Sequence, residues 1–160
     1  MSTPEARLAA LGLVLPPVTA PVAAYVPAVR TGSHVYVAGQ LPMAEGKLLA
    51  TGKVGAEISA GEAARLARTC ALNGLAAAAS AAGGLQAIRR VVKVTGFVAS
   101  SPGFTGQPQV LNGASELLLE VLGDAGRHAR SAVGVAELPL DAPVEVELIA
   151  EVGEGQQETP

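Results

Sequence analysis

A capped, alanine-rich helix occupies the middle of the chain and limits what can pack against it. Ser59, followed three residues later by Glu62, forms a capping box. The run AARLARTCALNGLAAAASAA continues to Gly83-Gly84, where glycine can end a helix in a left-handed turn. Its inner stripe would be Ala63, Leu66, Cys70, Gly74 and Ala77, side chains small enough to let the helix lie close on a sheet. The wider composition agrees. Hydrophobic residues make up 49% of the 160, mostly Ala, Val and Leu, with only four aromatics. Such a core packs closely but leaves each element little area to bury alone, which favours further burial between subunits.

The flanking segments supply the sheet. STPEARLAALGL predicts a short helix, with Thr3 as cap and Pro4 in its first turn, and PPVTAP then makes an extended linker. AAYVPAVRTGSHVYVAGQLP reads as two strands around the turn RTGSH, and MAEGKLLATGKVG as a short strand at 47–50 between glycine turns. AIRRVVKVTGFVA predicts a strand with Val92, Val94 and Val98 on one face. SSPGFTGQP is a loop, and QVLNGASELLLEVLG a second long helix ended by Gly123. RSAVGVAELPLDAPVEVELIA reads as a closing hairpin, and GEGQQETP as a polar tail with no reason to order. The expectation is one α+β domain, with two helices covering one face of a mixed sheet.

Several function classes are disfavoured. A net charge of −3 and sparse aromatics argue against a nucleic-acid surface, which needs a basic stripe and often stacking platforms. One cysteine excludes an internal disulfide and fits a reducing cytoplasm. The N-terminus lacks the order of a signal peptide, and no apolar stretch reaches membrane-spanning length, so a cytoplasmic protein without membrane contact is expected. His34, His128 and Cys70 offer no metal-ligand spacing, and GxSxG, GxxxxGK and GxGxxG are all missing, so no metal or cofactor is expected. Cys70 reads as core packing, His128 as a solvated or capping residue after a helix end, and Lys93 as part of an exposed strand face.

Two residues resist so plain a reading. Arg130 shares its strand face with Ala132 and Gly134, which cannot cover it. Its guanidinium could open onto a cavity and grip a carboxylate through two parallel hydrogen bonds, or pair loosely with Glu151 across the hairpin. Glu145 and Glu147 alternate with valines, as on any half-exposed strand.

ARSAVGVAELPLDAPVEVELIA resembles the C-terminal signature of the YjgF/Rid family, the enamine and imine deaminases also labelled L-PSP endoribonucleases: Arg-Ser, an apolar strand, Leu-Pro, and a Glu-apolar-Glu strand. Tyr25 in AAYVPAV, VYVAGQLP at 35–42, VVKVTGFV at 91–98 and Asn112 near the start of the second helix follow in the family's order. The similarity covers about residues 20–152, with 1–19 as an added helix and linker and 153–160 as a tail. The resemblance implies a chorismate-mutase-like α+β fold and a homotrimer with ligand clefts between subunits. It also implies cofactor-free hydrolysis of reactive 2-imino acids to 2-keto acids and ammonia. By the same resemblance Arg130 would bind the substrate carboxylate, Glu145 would position or activate the attacking water, and Tyr25, Asn112 and Ala132 would line the cleft, with Gly39 offering backbone contact. Such a sparse kit suits an imine, which is already electrophilic.

The chain departs from the family pattern at Ala38, where deaminating relatives commonly carry a hydroxyl residue, and at Ala132, where many carry cysteine. With the added N-terminal helix and the longer 100–108 loop, these mark a divergent branch. Two functions stay open: an imine/enamine hydrolase, and a trimeric binder of small carboxylates that kept the cleft without the reaction. A pure binder needs Arg130 but has no need of Glu145. The acidic, aromatic-poor composition weighs against ribonuclease activity.

Overall fold

A computed structural model describes residues 2–18 and 22–154. The elements in chain order are α1 (Pro4–Ala10), β1 (Ala28–Thr31), β2 (His34–Gln40), β3 (Met43–Ala44), β4 (Lys47–Leu48), α2 (Ala60–Ala82), β5 (Ile88–Ala99), α3 (Gln107–Leu122), β6 (Ala129–Val135) and β7 (Val144–Val152). Five strands form a mixed sheet in the order β1-β2-β7-β5-β6, in which only β5 and β6 run parallel. This is the expected α+β architecture.

The local chemistry at the helix ends follows the sequence. Thr3 Oγ1 accepts the amide of Ala6 at 3.1 Å, and Ser59 Oγ accepts that of Glu62 at 3.1 Å. Gly83 ends α2 at φ 90°, a left-handed conformation that costs glycine little. The whole small-residue stripe of α2 is buried. α2 rests on β7 and β2, and α3 on β5 and β6, so both long helices cover one face of the sheet. The helices cross closely because Gly113 of α3 has no side chain: a Cβ there would run into the carbonyl of Ala64 on α2. Along β7, buried Val144, Val146, Leu148, Ala150 and Val152 point to the helices, while half-buried Glu145, Glu147, Ile149 and Glu151 point away. Burying each Val or Leu of that row stabilises the fold by about 1.5–3 kcal/mol.

Four expectations change. RSAVGVAELPLDAPVEVELIA is not a hairpin: β5 lies between β6 and β7, parallel to one and antiparallel to the other. β5, α3 and β6 form a strand–helix–parallel strand unit, and the link after β6 is long enough to step past the end of β5. In β5 it is Val91, Val94 and Val98 that are buried, with Val92 only half-buried, because register shifts between 88 and 93 insert extra residues and reset the alternation. β1 begins only at Ala28, after Pro27, so Tyr25 lies in irregular chain. α3 starts two residues early and takes in Gln107 and Pro108, with the proline in its first turn. The end of the expected linker, 19–21, and the tail from 155 onward lie outside the described residues. Gly153 is tied in by its amide to Ala87 O at 2.9 Å.

Candidate functional site

Arg130 sits on β6 with its side chain on the helix side of the sheet, against the first turns of α3. Nη1 donates to Asn112 Oδ1 at 2.9 Å and Ser115 Oγ at 3.1 Å, and Nη2 donates to Pro108 O at 3.3 Å. Positions 108, 112 and 115 follow the i, i+4, i+7 spacing of one helix face, which is how α3 presents three acceptors to one strand residue. No bond to Glu151 forms; that glutamate lies in register with Arg90 and His34 on other strands. Three of the five guanidinium donors are therefore engaged. Among the described residues the Nε–H and one Nη2–H find no acceptor, and these two nitrogens flank the edge that a carboxylate grips with parallel bonds.

Behind Arg130 the network continues. Ser115 Oγ lies 2.9 Å from His128 Nε2, and His128 Nδ1 lies 2.6 Å from the carbonyl of Gly126. A carbonyl only accepts, so Nδ1 carries the proton and Nε2 of the neutral ring accepts from Ser115. Burial holds the His128 pKa below the ordinary 6.5 against the raising effect of the Gly126 bond, with the charge of Arg130 adding to the depression. The capping role expected of His128 is thus half the account, since its second nitrogen reaches Ser115.

A second group forms at the other end of the sheet. Between Val37 and Gln40, β2 carries one residue more than β7 opposite, a bulge at Ala38-Gly39. It turns the Cα of Gly39 onto the Glu145 carboxyl, so that a Cβ at Gly39 would overlap Oε1. Pro27 O accepts the amide of Ala38 at 2.8 Å, and Tyr25, two residues before Pro27, is exposed. Burial raises the Glu145 pKa from its ordinary 4.5, and the neighbouring charge of Glu147 raises it further. A carboxyl so placed is suited to take up and return protons nearer neutral pH.

The structure brings Arg130, Asn112 and Ala132 together on one side and Glu145 and Gly39 together on the other, while Tyr25 lies exposed in the irregular chain that leads into β1. It does not bring Arg130 to Glu145. Arg130 is level with Val94 and Leu148, and Glu145 with Phe97. Two strand spacings and three residues of rise put their Cα atoms roughly 14 Å apart, with the side chains on opposite faces. Sequence reasoning missed Ser115 and His128. Both carried a signal: His128 precedes Arg130 by two, just ahead of β6, and Ser115 follows Asn112 by three on the same helix face.

The site thus consists of a helix-backed mixed sheet with an anchored arginine at one edge and a partly buried carboxyl two strands away. The chain belongs to the YjgF/chorismate-mutase-like endoribonuclease family, whose model matches residues 5–152. It is similar to Protein TCP17 of Trypanosoma cruzi, 46% identical over 92% of each chain. The crystal structure of Atu1372 from Agrobacterium tumefaciens superposes with a TM-score of 0.86 at 49% identity, covering 94% of both chains. Escherichia coli TdcF, solved with bound serine, superposes with a TM-score of 0.62 at 25% identity over 85% of this chain and 94% of that one. Among the described residues, no helix is long and apolar enough to cross a membrane.

Proposed function

We propose that the protein hydrolyses reactive 2-imino acids, and the enamines that tautomerise to them, to 2-keto acids and ammonia in clefts between the subunits of a homotrimer. The observation that carries this reading is the separation of Arg130 and Glu145. No substrate of a few atoms spans both groups within one chain, but a neighbouring copy could set its Glu145 face against the Arg130 edge of the first. The outward face of the sheet leaves Val29, Tyr36 and Val133 exposed, apolar area that a second copy would cover.

In such a cleft Arg130 and Asn112 would hold the substrate carboxylate. Glu145 of the adjoining subunit would take a proton from water as its oxygen bonds to the imine carbon. Glu145 returns that proton to the nitrogen of the resulting carbinolamine, and collapse breaks the carbon–nitrogen bond as the hydroxyl proton passes to the departing ammonia. In balance, a protonated imine and one water give a ketone and ammonium. The serine bound by TdcF is a small carboxylate-bearing molecule, which is consistent with an arginine-centred pocket in this chain.

Sedimentation equilibrium at micromolar protein is expected to return three times the 15.9 kDa chain mass; a stable monomer would remove the shared cleft. Ammonia release from freshly generated imino acids tests the reaction itself. Ala38 and Ala132 remove polar contacts and leave room, so imino acids with larger apolar substituents are expected to turn over faster than 2-aminoacrylate. Equal or better turnover of 2-aminoacrylate would show that these two positions do not shape the pocket.

A further inference from the structure

The hydrogen-bond chain behind Arg130 has a fixed direction. Gly126 O can only accept, so His128 Nδ1 must donate to it. Neutral His128 then offers a lone pair at Nε2, and Ser115 must spend its one hydroxyl proton there. The Ser115 oxygen is left with lone pairs for Arg130 Nη1. Turning the hydroxyl around would set two donors against each other at Arg130 and leave Nε2 unpartnered. Only one arrangement satisfies every group.

An exposed arginine has many rotamers and loses them on binding a ligand. Here Nη1 is held from two sides and Nη2 from one, so the guanidinium plane is fixed before any ligand arrives. Asn112 is exposed and could be released to contact a ligand, whereas Ser115 is half-buried behind Nη1 and backed by the imidazole. The division of labour follows from that burial.

We propose that Ser115 and His128 are positioning residues that hold Nη1 of Arg130 and thereby aim its Nε–Nη2 edge at the ligand carboxylate. This rests on the assignment of Arg130 as the carboxylate grip. Neither residue touches the ligand, and both act through the arginine by preorganising it.

The test is a double-mutant cycle read by calorimetric titration of the full chain with 2-oxobutanoate. Ser115→Ala and His128→Ala are each expected to weaken binding roughly fivefold, because the arginine stays and only its preorganisation is lost. Ser115→Thr, which keeps the hydroxyl, is expected to restore affinity. In an Arg130→Ala background Ser115→Ala should change nothing further, because the group it positions is gone. An equal loss in both backgrounds would make Ser115 a general packing residue and overturn the proposal, as would unchanged affinity of Ser115→Ala and His128→Ala in the parent. Thermal melts of each variant separate unfolding from weakened binding. If Arg130→Ala itself binds as tightly as the parent, it is the carboxylate grip that fails; if that variant weakens while the other two do not, only the positioning role fails.

Discussion

Glutamine at position 145 is expected to lower turnover of imino acids about a hundredfold or more, the usual cost of removing a positioned proton-transfer group. The ligand should bind as before. An amide keeps the shape and one hydrogen bond but cannot take a proton from water. Because burial and Glu147 both raise the Glu145 pKa above 4.5, the carboxylate is protonated and inactive as a base at pH values where an ordinary glutamate would still serve. Activity should therefore rise with pH through that raised value. Glu147→Gln removes one of the two causes, favours the ionised form of Glu145, and should move the acid limb of kcat/KM to lower pH. Unchanged rate and affinity in Glu145→Gln would assign Glu145 to an ordinary solvent face and favour the non-catalytic binder.

Arg130→Ala is expected to weaken binding of a small 2-keto acid by about 2–3 kcal/mol, the upper range for a charge-assisted hydrogen bond. That corresponds to roughly 30- to 150-fold in affinity. Arg130→Lys keeps the charge but has no planar fork, so it should also bind more weakly than the parent. The chain should stay folded in both, because Arg130 lies outside the buried core and its acceptors on α3 sit near solvent. Calorimetric titration measures the difference, and parent-like affinity in the alanine variant would reduce Arg130 to a surface charge.

The helices were legible because their signals are local. Ser59, Glu62 and Gly83 lie within or beside the element they delimit, and the small stripe of α2 is read by spacing alone. Strand order was not legible. Two apolar runs joined by a proline-bearing link look like a hairpin whether or not a third strand slips between them, and β5 is contributed from some thirty residues away by a segment that carries no mark of its neighbours. Val92 was misassigned for a related reason: a bulge changes the period at a point that side-chain pattern does not announce. At the candidate site, Arg130 and Asn112 were named separately and the structure bonds them directly. Ser115 and His128 were passed over because each has an ordinary role available in its own element, and only the packing of β6 against α3 joins them.

Among the described strands, the one synthesised last is the central one. β7 pairs with β2 on one side and β5 on the other, so each of these keeps one ladder unmade until the residues of β7 leave the ribosome. Leu148 also forms the seat on which Gly74 of α2 rests. A nascent chain that has emerged only through β6 holds two open strand edges and a long helix with an uncovered apolar stripe. During translation it is thus exposed to aggregation in a way the finished protein is not. Completion of the sheet becomes a late, nearly all-or-none event tied to the nine residues of β7.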